Sequence, residues 1–198
     1  MKSLITTSLV GAFAIATSFA AEVGKDAPDF IASNTKGDQV SSADLDGKVV
    51  VLEWVNFDCP FVKKHYDSKN MQKLQSKYTE QDVVWLTVNS SAEGKQGHME
   101  ASKLGEKTQE QGSKATHVIV DADGKVGKAF DAKVTPHMII INKEGKVAYN
   151  GAIDSKATTE QADIEGADPI FANALDAVIS GNEVVNAKNE PYGCGVKY

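Results

Sequence analysis

Short apolar runs, separated by turn-forming and amphipathic segments, divide this chain into alternating strands and helices. Val49–Val55, Val83–Val88 and Val118–Val120 are rich in β-branched residues and have the length of buried strands. Met138–Ile141 and Val147–Ala152 are joined by a turn-forming segment and predict a hairpin. Strands that alternate with helices and close with an antiparallel hairpin indicate an α/β sheet domain.

The segments between these strands carry helical periodicity. Pro60–Tyr66 opens with a proline at the first helical position, where its missing N–H costs nothing, and predicts a helix. The polar residues Asp67–Asn70 predict a kink, after which apolar residues recur at helical spacing. Those residues are Met71, Leu74 and Tyr78. Gly97–Gln111 and Lys125–Phe130 carry weaker helical patterns.

The sequence predicts a last helix and the residues at which it begins and ends. Asp168 is the expected N-cap, Pro169 the first helical residue and Gly181 the terminating glycine. The apolar stripe between these ends consists of Phe171, Leu175, Val178 and Ile179. The polar segment Asp154–Ala167 before the helix predicts a surface loop, and a tail, Asn182–Tyr198, follows the helix.

The N-terminal part of the chain predicts an export signal followed by a small hairpin. In residues 1–20, Lys2 is a minimal charged region, Leu4–Ile15 is apolar, and Ser18–Ala20 supplies a cleavage site. We therefore expect residues 21–198 to form one periplasmic or secreted domain, without stable membrane insertion. An uncleaved anchor is the alternative, although the apolar part is short for a bilayer span. Phe30–Val40, with a turn at its centre, predicts the hairpin.

Composition narrows the range of partners. The chain has 198 residues, of which 41% are hydrophobic and 24% are charged, which suits one domain with a sizeable core. Its formal charge is −6, and all 21 basic residues are lysine. An acidic chain without arginine lacks the planar fork that binds phosphate or guanine, so we expect no nucleic-acid partner.

Two cysteines, Cys59 and Cys194, are the candidate chemistry. Cys59 stands where the first buried strand ends and a helix begins, so unpaired N–H groups and the positive end of the helix dipole favour its thiolate. Lys63 and Lys64 would add to that effect, and Asp58 would oppose it. An even number of cysteines in an oxidising compartment makes a disulfide available.

Four segments, taken in order, resemble the redoxin branch of the thioredoxin superfamily, which includes peroxiredoxins of the alkyl hydroperoxide reductase/thiol-specific antioxidant type. They are Gly24–Phe30 with the pattern G-x-x-A-P-x-F, the strand–Cys59–helix element, Val134–His137 and Lys146–Gly151. The Cys-Pro-Phe-Val turn at Cys59, together with the Gly193-Cys194 tail, is similar to a peroxiredoxin-like group within that branch.

The resemblance implies a thioredoxin-like fold, with a central mixed β-sheet flanked by helices and an N-terminal hairpin extension. It implies that Pro136 forms a cis peptide bond near the reactive sulfur, which leaves the Thr135 backbone free to pair with an extended partner chain. Glu53, six residues before Cys59, matches the buried thioredoxin carboxylate that relays the thiol proton. A trans Pro136 and a solvated Glu53 are the alternatives.

The chain departs from both well-known patterns of the superfamily. Val62 stands where thioredoxins carry their second active-site cysteine. Leu52 and Asn56 stand where peroxiredoxins carry proline and threonine, and the peroxiredoxin arginine is absent. Because lysine lacks the rigid guanidinium fork, these departures disfavour fast peroxide reduction.

The leading hypothesis is a thiol–disulfide oxidoreductase in which Cys59 is the nucleophile and Cys194 is the resolving thiol. Cys194 has a second interpretation of equal weight, a structural link that ties the tail to the domain. Glu53 and Pro136 complete the predicted site. The expected partners are protein thiols or disulfides, or a small peroxide, together with an external reducing thiol protein.

The sequence is also compatible with two other functions. One is a thiol peroxidase with antioxidant activity, whose Cys59 becomes a sulfenic acid that condenses with Cys194. The other is a binding module that holds an inert disulfide or carries copper between Cys59 and His137. Two ligands make a poor metal site, so we expect no resident metal and no cofactor.

Overall fold

The apolar runs meet in one seven-stranded sheet in the computed structural model, which describes residues 21–198. The predicted signal peptide, residues 1–20, lies outside the described residues. In chain order the strands are β1 (Ile31–Asn34), β2 (Gln39–Ser41), β3 (Val50–Trp54), β4 (Val84–Asn89), β5 (His117–Val120), β6 (Val134–Thr135), β7 (His137–Ile141), β8 (Val147–Gly151) and β9 (Cys194–Gly195). The short strands β6 and β9 form a separate two-stranded sheet.

The large sheet is mixed, and β3 lies inside it. The strand order is β2-β1-β5-β4-β3-β7-β8, in which β3 runs parallel to β4 and antiparallel to β7. Neighbouring strands on both edges and side chains on both faces bury all five residues of β3. That burial explains why this strand is almost wholly apolar. The predicted N-terminal hairpin is β1–β2, at one end of the sheet.

Within residues 21–198, five α-helices pack around the sheet. They are α1 (Pro60–Asp67), α2 (Asn70–Thr79), α3 (Ala101–Glu110), α4 (Lys125–Ala129) and α5 (Ile170–Ile179). One apolar cluster contains Trp85 and Phe171, and a second cluster, on the other face of β3, contains Trp54 and Phe130. The α/β class with a mixed sheet flanked by helices is therefore confirmed. Among the described residues, no helix is both long and apolar enough to cross a membrane.

The kink predicted after Pro60–Tyr66 is a break between two helices. Lys69 adopts a left-handed φ of 63° between α1 and α2. The predicted stripe then faces inwards, because Met71 and Tyr78 are buried in the cluster of Trp85.

The helix α3 begins later than its sequence pattern predicts. It begins at Ala101 rather than at Gly97. Gly97 has a left-handed φ of +83°, and a Cβ built on it would lie 2.3 Å from the side chain of Asn56. A close approach between backbone and side chain therefore holds this residue in a non-helical conformation.

The predicted start of the last helix is wrong by one residue. α5 begins at Ile170, because Pro169 has a non-helical ψ of 63° and is itself the N-cap residue. The Asp168 carboxylate accepts a hydrogen bond from the Asn173 side chain at 3.2 Å and does not cap the helix. Gly181 ends the helix with a φ of 70°, as predicted. The predicted loop Asp154–Ala167 contains one turn of 3-10 helix, Gln161–Ile164.

We expect Phe171→Ala to lower the free energy of unfolding by about 3–5 kcal/mol. Phe171 has no exposed surface and holds α5 against the sheet through edge contacts with Trp85 (5.6 Å between ring centroids) and Tyr149 (6.1 Å). Urea unfolding measures the change. Val185→Ala is the control, because Val185 is 80% exposed and its truncation should change stability by less than about 0.5 kcal/mol. Equal effects of the two variants would contradict the packing described.

Candidate active site

Cys59 lies at the N-terminus of α1, immediately beyond the central strand, as predicted. It is the N-cap residue, with extended backbone angles, and Pro60 is the first helical residue. The turn before it is fixed by Asn56, whose side-chain oxygen accepts the Asp58 N–H at 2.9 Å and whose carbonyl accepts the Cys59 N–H at 2.9 Å. The sequence between strand and helix therefore sets the position of the sulfur.

Pro136 forms the predicted cis peptide bond with Thr135. This bond lies next to the reactive cysteine, because the Cys59 sulfur is 3.1 Å from the carbonyl oxygen of Thr135, 76 positions further along the chain. In its thiol form Cys59 donates a hydrogen bond to that oxygen. The structure thus brings together two of the residues predicted for the site.

The C-terminal tail reaches the same place. β9 pairs with β6 in antiparallel register, with Cys194 opposite Thr135 and Gly195 opposite Val134. The expectation that the Thr135 backbone is free to pair with a partner chain is therefore corrected, since the chain's own tail occupies that edge. Under this cover Cys59 has no exposed surface.

Gly193 permits this close approach of the tail. It has a φ of +146°, and a Cβ built on it would lie 2.0 Å from the Thr135 carbonyl oxygen. A side chain at this position would collide with the backbone of β6. Only glycine fits the conformation and the space together.

The environment of Cys59 favours its thiolate. Burial raises the pKa of this thiol, but four other interactions outweigh burial, and the pKa lies below its ordinary value. They are a hydrogen bond with the Cys194 thiol and contacts with the Val62 N–H, the Thr135 side chain and the Cys194 N–H. The prediction of a stabilised thiolate at the helix N-terminus agrees with this direction.

Cys194 is shifted in the opposite sense. Burial raises the pKa of its thiol, the hydrogen bond and the charge of Cys59 raise it further, and the value is about 12. Both residues are free cysteines. The two thiols are therefore shifted in opposite directions, and Cys59 is the one that loses its proton more readily.

Lys64 does not serve the sulfur as the sequence suggested. Its side chain is fully buried, and Nζ donates to the carbonyl of Lys156 at 2.7 Å and lies 3.6 Å from Oδ2 of Asp154. The groups that lower the pKa of Cys59 most are instead N–H, hydroxyl and thiol donors.

Glu53 is buried, and the alternative of a solvated carboxylate is excluded. Its side chain has no exposed surface, and burial raises its pKa despite four hydrogen bonds that lower it. The donors are Tyr66 (2.8 Å), Gln75 (3.0 Å), Trp85 (2.8 Å) and Thr87 (3.2 Å). Glu53 thus links β3, β4, α1 and α2. Its role as a proton relay stays a prediction.

A buried polar cluster near the site was not predicted from the sequence. Lys64 and His65 of α1 meet Asp154 and Tyr192, and the Tyr192 hydroxyl donates to Asp154 and lies 3.3 Å from Nε2 of His65. Burial lowers the pKa of His65 to about 4, so this imidazole is neutral near pH 7. The sequence separation of 127 positions between His65 and Tyr192 left no local pattern to find.

The structure gives the copper interpretation no support. Nε2 of His137 lies 2.7 Å from Asn150, and Nδ1 accepts the Lys133 N–H at 3.3 Å. The ring packs against Trp54, in the cluster on the other face of β3 from the cluster that contains Cys59. Within residues 21–198, no three His, Cys, Asp or Glu side chains group to hold a metal ion.

Comparisons with known proteins identify the family of this chain. The family model described as Redoxin matches residues 22–167. The thiol-disulfide oxidoreductase ResA of Bacillus subtilis (strain 168) is 28% identical over 124 residues, which are 63% of this chain and 64% of that protein. The chain thus matches slightly less than two thirds of the length of that relative.

Solved structures share the fold. An uncharacterized conserved protein from Geobacillus kaustophilus superposes with a TM-score of 0.75 at 24% identity, covering 90% of this chain and 93% of that one. The thioredoxin domain of a thiol-disulfide oxidoreductase from Bacteroides vulgatus gives a TM-score of 0.53 at 19% identity, covering 73% and 96%. The predicted thioredoxin-like fold is therefore confirmed.

We expect Gly193→Ala to displace the tail and expose Cys59, because the added Cβ would overlap the Thr135 carbonyl. The measurement is the rate of Cys59 alkylation by iodoacetamide, followed by mass spectrometry of the tryptic peptide. The rate should rise at least about tenfold, which corresponds to about 1.4 kcal/mol of lost tail docking.

Gly195→Ala is the matched control for this prediction. A Cβ on Gly195 would meet only the Lys133 carbonyl oxygen, at 3.9 Å, so it should leave the tail in place. Equal alkylation rates in the two variants would show that the backbone contact of Gly193 does not hold the tail over Cys59.

Proposed function

Because the chain belongs to the redoxin family, we propose that it is a thiol–disulfide oxidoreductase in which Cys59 is the nucleophile and Cys194 is the resolving thiol. The observation that carries the proposal is a pair of interacting cysteines, one with a lowered and the other with a raised pKa. The Bacillus subtilis relative bears the name of this activity, which supports the proposal.

In the first step the Cys59 thiolate attacks one sulfur of a partner disulfide. The partner S–S bond breaks, a mixed disulfide with Cys59 forms, and the other partner sulfur leaves as a thiolate. Since Cys59 has no exposed surface under the tail, the tail must move aside to admit the partner.

In the second step Cys194 resolves the mixed disulfide. Burial raises the pKa of Cys194, and so do the hydrogen bond and the negative charge of Cys59. Once the Cys59 sulfur is bonded to the partner it carries no charge, so the two contributions from Cys59 disappear and the pKa of Cys194 falls. The resolving thiol is therefore activated by the intermediate that it attacks.

The balance of the two steps is a transfer of two electrons. The Cys194 thiolate attacks the Cys59 sulfur, and the second partner sulfur leaves and takes up a proton. The partner disulfide becomes a dithiol, and the enzyme becomes a Cys59–Cys194 disulfide. An external dithiol protein then reduces that disulfide by the same exchange chemistry.

Protein disulfides or thiols are the proposed partners, in the periplasm or outside the cell. The pattern of residues 1–20 supports the location. The peroxidase alternative finds little support in the site, because Asn56, at the position of the peroxiredoxin threonine, is engaged. Its amide donates to the Gln96 carbonyl at 3.4 Å and its oxygen accepts from Asp58.

The chromogenic disulfide dithiobis-nitrobenzoate separates the two steps, because each step releases one thionitrobenzoate. We expect the reduced wild-type protein to release two equivalents in two phases and to end with a Cys59–Cys194 disulfide in the peptide map. Cys194→Ser should stop after one equivalent as a stable mixed disulfide. Cys59→Ser should lose the fast first phase by at least about 100-fold, because it lacks the cysteine with the lowered pKa and burial still raises the pKa of Cys194.

Three outcomes would contradict this scheme. One is insulin or glutathione-disulfide turnover that Cys59→Ser leaves unchanged, and another is a Cys194→Ser variant that still releases two equivalents. The third is a Cys59 sulfenic acid that forms with stoichiometric peroxide much faster than on free cysteine, which would favour the peroxidase instead.

We propose in addition that Glu53 accepts the proton of the Cys194 thiol during the second step. Glu53→Gln is expected to slow the second phase by about 100-fold, within the range of general base catalysis, and to spare the first phase, because the attacking cysteine there, Cys59, already has a lowered pKa. The wild-type second phase should rise with pH through the raised pKa of Glu53, and the variant should lack that rise.

Urea unfolding gives the sign of the same shift independently. Because the folded-state pKa of Glu53 lies above its ordinary value of 4.5, the folded protein retains this proton longer than the unfolded chain. Wild-type stability should therefore fall relative to Glu53→Gln as the pH rises from about 4.5 through the folded pKa. A variant with altered stability and two unchanged phases would reduce Glu53 to a structural role.

A further inference from the structure

The buried polar cluster of Lys64, His65 and Asp154 takes no part in the exchange steps, although burying its polar and charged groups is energetically unfavourable. The side chains of Lys64 and His65 have no exposed surface, and that of Asp154 is 6% exposed. Oδ2 of Asp154 lies 3.6 Å from the lysine nitrogen and 3.8 Å from Nε2 of His65, and accepts no hydrogen bond. Burying charged groups in this way is unfavourable unless other interactions compensate.

Tyr192 of the tail completes the cluster. Its hydroxyl donates to Oδ1 of Asp154 and lies 3.3 Å from Nε2 of His65. Because the Asn70 amide lies 2.9 Å from Nδ1 of His65 and donates to it, the neutral imidazole carries its proton on Nε2 and donates to Tyr192. The hydroxyl thus has both a donor and an acceptor partner.

The ring of Tyr192 is held as well as its hydroxyl. Phe61 packs against it with ring centroids 5.7 Å apart, and Nζ of Lys64 lies 5.6 Å from its centroid. A planar ring with one terminal hydroxyl suits this position, because Phe61 and the Lys64 ammonium contact the ring and the Asp154 carboxylate accepts from the hydroxyl. We call the three residues Lys64, His65 and Asp154 the tyrosine socket.

The socket lies next to the redox pair along the chain and in space. Tyr192 precedes Cys194 by two positions, and Gly193 between them rests on the Thr135 carbonyl. We propose that Tyr192 is a positioning residue, which seats Cys194 beside Cys59 when it enters the tyrosine socket and uncovers Cys59 when it leaves. This inference rests on the proposed function and names the contact that governs the approach of the resolving thiol.

The rest of the tail makes such a local movement possible. On one side Asn189 accepts the Ala152 N–H at 2.8 Å, and on the other the Val196 N–H donates to the Lys133 carbonyl at 2.9 Å. These contacts bracket the segment that contains Tyr192 and Cys194. Release of that segment would open Cys59 while both ends of the tail stay docked.

Tyr192→Phe tests the proposal, and Tyr198→Phe is its matched control. Both tyrosines lie in the tail and donate one hydroxyl hydrogen bond, but Tyr198 donates to the neutral Ala132 carbonyl at 2.7 Å, away from the socket. The readout is the equilibrium constant for forming the Cys59–Cys194 disulfide in glutathione buffers, which reports how well Cys194 is positioned.

We expect Tyr192→Phe to lower that constant about tenfold or more, since it loses a hydrogen bond to a charged acceptor. Tyr198→Phe should change it by less than about threefold, since its acceptor is a neutral carbonyl outside the tyrosine socket. Urea unfolding of each variant separates this effect from a loss of the fold. A role confined to stability would move the unfolding midpoint and leave the thiol equilibrium unchanged.

A second measurement does not depend on disulfide formation. In a Cys194→Ser background, iodoacetamide should alkylate Cys59 about tenfold faster or more when Tyr192 is also changed to phenylalanine, because the segment leaves the socket more often. The same background with Tyr198→Phe should match its parent. Equal rates in both double variants would overturn the positioning role.

The two proposals fail in different ways. If the wild-type protein forms no Cys59–Cys194 disulfide at any glutathione ratio, the resolving role of Cys194 is wrong. If the disulfide forms and neither Tyr192→Phe measurement differs from its Tyr198→Phe control, the thiol cycle stands and the role of Tyr192 is wrong.

Discussion

The antiparallel pairing of Cys194 with Thr135 is the interaction on which the candidate site depends. It brings a residue of the C-terminal tail to a sulfur that the N-terminus of α1 already holds. The same pairing brings the thiol and the N–H of Cys194, which lower the pKa of Cys59, to a sulfur that has no exposed surface. A two-residue ladder thus brings together two cysteines that are 135 positions apart in the sequence. Gly193 is the local condition for that ladder, because its backbone lies where no side chain fits.

In the proposed cycle, the backbone edge at Thr135 would pair with a partner chain in one step and with the C-terminal tail in another. An extended partner that pairs with Thr135 would need the backbone groups that the tail already uses. Partner and tail therefore exclude one another, and the proposed cycle would have to alternate between an open site that accepts a disulfide and a closed site that resolves it. The docking of the tail must then be intermediate in strength. A tail that never left would block Cys59, and a tail that rarely returned would leave the mixed disulfide unresolved.

Local patterns in the sequence predicted the strand and helix that position Cys59, but they did not predict the pairing of the C-terminal tail with Thr135. The apolar run of β3, the proline after Cys59 and the glycine at the end of α5 each act on neighbouring residues, so each could be read from the chain. The cis bond at Pro136 and the buried Glu53 came from family resemblance. The pairing of Cys194 with Thr135 and the tyrosine socket depend on contacts across 59 and 127 positions, which no periodicity encodes. The predicted helix start at Asp168 was wrong by one residue because Pro169 has a non-helical ψ of 63° and is itself the N-cap residue.

The absence of arginine from the chain, and the burial of Lys64 in the tyrosine socket, explain how the sulfur is stabilised. With no guanidinium available and Lys64 turned away, the dominant contributions come from N–H, hydroxyl and thiol donors. Departure of the tail removes two opposing contributions together, the burial that raises the pKa of Cys59 and the Cys194 donors that lower it. The Val62 N–H and the Thr135 side chain belong to α1 and β6 and remain. In the proposed open state these two groups would still favour ionisation of Cys59, because neither belongs to the tail.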